Sequence, residues 1–293
     1  MNPWPDVERS IREASGAPFT IESRARAGGG SINECHVIRG RGRAFFVKLN
    51  TPERAEMFSA EAAGLHEIAR TKTIRVPEPV CHGASPAACW LALEHLELRP
   101  GDERSMAQLG RNLARMHRVT GSRYGWHRDN TIGATPQINT HNNDWIAFWG
   151  ERRLGYQLRL AAATGHHRRI IESGEQLLEK LPTFFAGYVP PPSLLHGDLW
   201  SGNAAFTAQG TPVIFDPAVY YGDREADLAM TELFGGFSPD FYAAYDEAFK
   251  VDLGYGIRRE LYNLYHVLNH LNLFGGGYGA QAQHMIEHLL AHV

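Results

Sequence analysis

The apolar residues of this chain follow a strand-like pattern first and a helical one afterwards, and that switch limits the folds open to it. Residues 19–50 read as strand, cut by Gly28-Gly29-Gly30 and again by Gly40-Arg41-Gly42. Those two breaks predict a three-stranded antiparallel meander with a flexible first turn. Ahead of it, Pro3 in a first turn and Val7, Ile11 and Ala14 at helical spacing predict an N-terminal helix. Behind it, Thr51 and Pro52 open a second helix as cap and first residue, with Glu53 and Glu56 at its positive end. Met57, Ala60, Gly64, Leu65 and Ile68 mark the apolar face of that helix, and residues 79–83 and 89–94 read as two more strands. From Arg104 the pattern is helical, through Met106, Leu109, Leu113 and Met116 and again over 145–163, with a long polar loop at 121–143. A short hairpin ends at Val213-Ile214-Phe215-Asp216, and the remainder reads as helix. The expected fold class is α+β and two-lobed, with a small antiparallel sheet and one inserted helix in residues 1–95 and a larger, mainly helical part in 96–293.

Charge narrows the partners. Of the 293 residues, 29 are basic and 32 acidic, a formal net charge of −3, which gives no global attraction to nucleic acid or to an anionic membrane. Cys35, Cys81 and Cys89 form no C-x-x-C pair, and no apolar run approaches a bilayer span, so a reducing, cytoplasmic setting is expected. Only four of the basic residues are lysines (Lys48, Lys72, Lys180 and Lys250). A compositional habit of arginine explains most of this, but a lysine inside an apolar strand stands out, because lysine and arginine are not equivalent where a compact point charge is needed. That lysine is Lys48.

His196-Gly197-Asp198, Asn203 five residues beyond the aspartate, and Asp216 at the end of the next strand bring two carboxylates and a carboxamide to one hairpin. Such hard oxygen donors suit Mg²⁺ held partly through substrate phosphates. The D-x-x-x-x-N spacing is that of a protein-kinase catalytic loop, and Phe215-Asp216-Pro217 stands where D-F-G places its metal-binding aspartate. Lys48 and a helix carboxylate complete the other half of a phosphoryl-transfer site. Glu61 suits that partner role better than Glu56, because it shares the apolar face with Met57, Gly64 and Leu65.

The strings L-L-H-G-D-L-W-S-G-N, V-K-L-N, L-E-H-L and Y-G-D-R-E-A-D-L-A resemble the fructosamine (ketosamine) kinase family, relatives of the aminoglycoside and choline kinases, over almost the whole chain. The resemblance implies a protein-kinase-like fold and ATP- and Mg²⁺-dependent phosphorylation of a hydroxyl, typically the 3-hydroxyl, on the sugar part of a ketosamine or glycated amine. It implies that Asp198 is the catalytic base, Asn203 and Asp216 the Mg²⁺ ligands, Lys48 the phosphate-binding lysine and Glu61 its partner. It further implies that Glu94, His95 and Leu96 form the hinge whose backbone meets the adenine, and that Asp227 supports the catalytic loop. Gly28, Gly29, Gly30 and Ser31 match the nucleotide loop only in being glycine-rich, since Asn33 stands where a last glycine would fall. Trp200, two residues past the base, and Asp144-Trp145 are candidates for acceptor contact, with plain packing the alternative for either tryptophan.

Fifteen histidines, among them His266 with His270 and the series His284, His288 and His292, invite a metal reading. No glutamate follows the first histidine of any such pair as zinc-protease chemistry requires, and they read as polar or half-buried helix positions. Gly275-Gly276-Gly277 follows a helix and reads as its stop. Two other functions compete: an aminoglycoside- or choline-type phosphotransferase of the same fold, and a nucleotide-binding pseudokinase without turnover.

Overall fold

The computed structural model describes residues 2–28, 32–165 and 168–293. Helix α1 (Trp4–Ser15) precedes β1 (Ser23–Arg26), β2 (Glu34–Gly40) and β3 (Arg43–Asn50), then come α2 (Ala55–Arg70), β4 (Pro79–Ala84) and β5 (Cys89–Glu94). The five strands make one antiparallel sheet in the order β1-β2-β3-β5-β4. Strand alternation gives its faces different partners. Phe45, Val47 and Leu49 of β3, with Trp90 and Ala92 of β5, enclose a small core with Val7 and Ile11 of α1. Cys89, Leu91 and Leu93 on the other face pack with Met57, Phe58, Leu65 and Ile68 of α2, in a core that runs unbroken into the helices beyond. Lys48 belongs to this second face, opposite Leu91 of β5 and Cys35 of β2.

After β6 (Leu98–Arg99), α3 (Glu103–His117) opens on a reciprocal cap: Ser105 N–H donates to Asp102 and Asp102 N–H to Ser105 Oγ, each at 2.8 Å. The polar stretch expected as loop carries a hairpin, β7 (Asn130–Ile132) and β8 (Thr135–Gln137). Its amides are buried rather than solvated. Gln137 Nε2 donates to Asn130 Oδ1 at 2.8 Å and to Ala218 O at 3.0 Å, and Asn130 Nδ2 donates to Val219 O at 2.8 Å. The hairpin is thereby tied to the segment that follows Asp216.

The helix expected over 145–163 is α4 (Trp145–Trp149) and α5 (Gly155–Ala163), joined by one widened turn at Gly150–Leu154, and α6 (Arg168–Phe184) follows. Strands β9 (Ser193–Leu195), β10 (Ala204–Thr207), β11 (Pro212–Ile214) and β12 (Tyr220–Gly222) precede α7 (Glu225–Leu233), α8 (Pro239–Ala248), α9 (Tyr255–Phe274) and α10 (Tyr278–Leu290). The β10–β11 hairpin is the expected one, and β6 pairs with its outer side. Strand β12, three residues in a region expected to be helical, pairs with β9, the strand that leads into His196. Gly275, at φ +65°, ends α9 as expected. All three cysteines are free, and among the described residues no helix is long and apolar enough to cross a membrane.

Candidate active site

Lys48 reaches from β3 into a cleft of about 550 Å³ that is also lined by Glu61, Asp198, Asn203 and Asp216. Its Nζ donates to Glu61 Oε1 at 2.6 Å and to Asp216 Oδ1 at 2.5 Å. The side chain is only 3% exposed, so the ammonium depends on these two carboxylates for its solvation. Glu56 instead points outward to Arg128, 3.0 Å away. Helical spacing favours Glu61 over Glu56 as the partner of Lys48, and Glu61 is the one of the two in contact with it. Gly64 brings α2 against the strand end: a Cβ there would lie 3.1 Å from Val219 and 3.5 Å from Pro217.

The loop from His196 to Asn203 is held by its backbone. Gly197 has φ +83°, and a Cβ on it would lie 2.1 Å from Ala218 O, so glycine is required there. Asp227 on α7 accepts from His196 N–H at 2.7 Å and Gly197 N–H at 2.8 Å, and its Oδ2 lies 3.1 Å from Nε2 of the buried His117. His196 Nε2 donates to Phe215 O at 3.0 Å, leaving Nδ1 to accept from Asp198 N–H at 3.3 Å. Burial keeps the His196 ring neutral, below the usual histidine range. Asn203 Nδ2 donates to Asp198 O at 2.9 Å and stands 3.4 Å from its Oδ2. Phe215 N–H donates to Asn203 O at 3.1 Å and so ties the Asn203 turn to Asp216. Asp216 itself sits at φ +59°, a left-handed conformation that aspartate tolerates better than most side chains.

Two carboxylates, Glu61 and Asp216, share the Lys48 ammonium, and Asp198 lines the same cleft. Burial pushes the Asp198 carboxyl up to about 7, with the charges of Asp216 and Asp227 adding to the effect and Asn203 opposing it. This is well above the near-normal acidity that would already suffice for a base in a loose transition state. Burial likewise carries Glu61 up to about 7, the Lys48 charge offsetting only part of it. Burial disfavours the Lys48 ammonium, but Asp216 and Glu61 more than compensate and hold it protonated. An Asp198 carboxyl raised from near 4 to about 7 costs the folded state stability that grows between those pH values and is fully present above 7. The Asp198→Asn protein is therefore expected to melt above the parent at pH 8 and to lose that advantage as the pH falls to 4, read by calorimetry. An advantage independent of pH would contradict the raised value.

The remaining candidates divide. Trp200 lines the cleft, 39% exposed, its ring so close over Gly202 that a Cβ there would lie 2.2 Å from it. Trp145 does not reach the cleft: it is 3% exposed, and its Nε1 donates to Tyr262 at 3.0 Å inside an aromatic core, which favours the packing alternative. Asp144 caps α4, accepting from Ala147 N–H at 2.6 Å, and is likewise outside the lining. Glu94, His95 and Leu96 are absent from it too. The Glu94 carboxylate is engaged with Arg75 at 2.5 Å and its N–H with Glu78 O at 2.8 Å, so it has a sheet-end role. Gly28 is exposed, whereas Gly29, Gly30 and Ser31 lie outside the described residues.

Sequence reasoning missed His266, Asn269, His270 and Leu273, which line the cleft from one face of α9, together with Phe234, Phe274 and Tyr278. The signal was present as an i, i+3, i+4, i+7 stripe, but polar members among leucines read as half-buried helix positions. His266 is buried and pushed down to about 3 by that burial, hence neutral. Among the described residues no group of three His, Cys, Asp or Glu is placed to hold a metal. The Asp216 and Asn203 side chains, both offering oxygen and short of a full cage, fit Mg²⁺, which would complete its shell with phosphate and water.

A five-stranded antiparallel sheet with one inserted helix, set over a mainly helical part with the catalytic loop between, defines a protein-kinase-like phosphotransferase. The same fold is seen in an aminoglycoside phosphotransferase crystallised with ADP and hygromycin B, at a TM-score of 0.65 and 16% identity over 98% of each chain. Within that class, the chain belongs to the fructosamine kinase family, whose model matches residues 3–292. It is 47% identical to a probable ketoamine kinase of Synechocystis over 98% of this chain and 97% of that one. A chloroplastic protein-ribulosamine 3-kinase of Arabidopsis thaliana is 43% identical over 97% of this chain and 88% of its own. A candidate fructosamine-3-kinase structure from Haemophilus somnus superposes with a TM-score of 0.90 at 29% identity, covering 98% and 97% of the two chains.

Proposed function

We propose that this chain transfers the γ-phosphate of ATP to a sugar hydroxyl, the 3-hydroxyl, of ketosamines such as fructosamines and ribulosamines. The observation that carries the reading is the convergence of Lys48, Glu61 and Asp216 with Asp198 and Asn203 in one cleft. The names of the ketoamine kinase and ribulosamine 3-kinase relatives support the acceptor class. Residues 1–95 would serve as the nucleotide-binding lobe and 96–293 as the catalytic and acceptor lobe, in a cytoplasmic protein whose cysteines stay reduced.

Lys48 exchanges a carboxylate partner for phosphate oxygens while Glu61 keeps its ammonium aimed. Asp198 orients the acceptor hydroxyl toward the phosphorus and takes its proton at Oδ. A base near 7 is matched to that task, strong enough to accept the proton and still ionised at working pH. Asn203 and Asp216 would hold Mg²⁺, which supplies charge neutralisation on the phosphate oxygens. Because Asp198 must be ionised, kcat/KM is expected to rise with pH through about 7, and a flat profile between pH 5.5 and 8 would remove it as the base. Asp216→Ala should raise the Mg²⁺ concentration needed for half-maximal rate by about tenfold or more, the scale of losing a charged ligand interaction. An unchanged Mg²⁺ dependence would release Asp216 from that role.

The decisive assay is coupled ADP release over a ketosamine panel, with aminoglycoside and choline controls and mass-spectrometric mapping of the phosphate. Turnover of the controls alone would assign the site to another acceptor. Nucleotide binding without turnover of either would make the chain a pseudokinase.

A further inference from the structure

Seven large apolar side chains are well exposed in the described structure, and three of them, Trp200 at 39%, Phe234 at 43% and Phe274 at 52%, line the same cleft. They come from the catalytic loop, the end of α7 and the end of α9. Their rings join through His270: Trp200 meets Phe234 edge-on at 6.3 Å, Phe234 meets His270 at 5.3 Å, and Phe274 and Tyr278 lie 5.5 Å and 5.0 Å from it. His270 Nδ1 contacts His266 O at 2.7 Å, so it donates there. Among the described residues, the acidic and basic side chains of the cleft lining besides these histidines are Lys48, Glu61, Asp198 and Asp216, all in the phosphoryl-transfer group. The ring cluster thus presents aromatic faces and no carboxylate with which to hold a second amine.

We infer that Phe234 and Phe274 select the amine-derived part of the acceptor, favouring ketosamines whose amine carries an apolar or aromatic group over acidic or polycationic ones. The inference rests on the ketosamine reading above. A ring stacked on these two gains apolar burial and edge or offset contacts that a methyl group does not. Neither phenylalanine is part of the transfer machinery, and both are exposed enough to be replaced without opening the core.

The test is a cycle of two substrates and three proteins. Ketosamines of one sugar with methylamine and with phenethylamine are compared on the parent, Phe234→Ser and Phe274→Ser chains, by kcat/KM. The parent should prefer the phenethylamine compound by about tenfold, the scale of one aromatic contact. Each variant should lose most of that preference while turning over the methylamine compound within about twofold of the parent. Parallel losses on both substrates, or a preference that survives in both variants, would overturn the inference. Failure of the parent to phosphorylate even the methylamine compound would instead sink the ketosamine reading, and this inference with it.

Discussion

Replacing Asp198 with asparagine is expected to lower kcat by about two to four orders of magnitude, the contribution of a positioned general base. ATP affinity should stay within about twofold. The substitution keeps the size of the side chain and removes its capacity to take a proton. The fold has no reason to suffer, since the loop is fixed through the His196 and Gly197 amides on Asp227 rather than through the Asp198 carboxylate. Removing that carboxylate also relieves its like-charge repulsion with Asp216 and Asp227, so a melting temperature above the parent's at pH 8 should accompany the loss of rate. Turnover retained by a folded, contaminant-free preparation would sink the assignment.

Lys48→Arg should cost about a hundredfold or more in kcat/KM, the scale of removing one preorganised donor from a developing charge. The ammonium sits between Glu61 Oε1 and Asp216 Oδ1, at 2.6 Å and 2.5 Å, with almost no exposed surface. A guanidinium is longer and planar, and it spreads its charge over a fork that the site has no room to rotate. It would satisfy the carboxylates by displacing α2 or the Asp216 backbone, and so lose the phosphate contact. The remaining sequence accepts arginine at nearly every other basic position, which makes this substitution a test of geometry rather than of charge. Near-normal turnover in the arginine protein would overturn the role.

The order of elements and the transfer group were legible because each rests on short-range patterns. Lys48 stood out as the lysine ending an apolar strand, and helical spacing chose Glu61 over Glu56. The D-x-x-x-x-N spacing joined Asp198 to Asn203. What was not legible depends on distant packing. The polar stretch around Asn130 and Gln137 reads as loop because its amides have no local partners; they are buried against Ala218 and Val219, some eighty residues away. Trp145 looked equally suited to sugar contact or to the core, and only the helices around it decide for the core. The acidity of Asp198 was invisible for the same reason, since burial and the neighbouring Asp216 and Asp227 come from three separate segments.

The two carboxylates that clasp Lys48 also make it a poor nucleophile. An amine attacks an aldehyde only in its unprotonated form, and this one is buried, protonated and held on two sides. Lys72, Lys180 and Lys250 are exposed to solvent and have no comparable cage. In a solution of reducing sugars this chain would collect adducts on those three lysines ahead of Lys48, the one proposed to meet the phosphates.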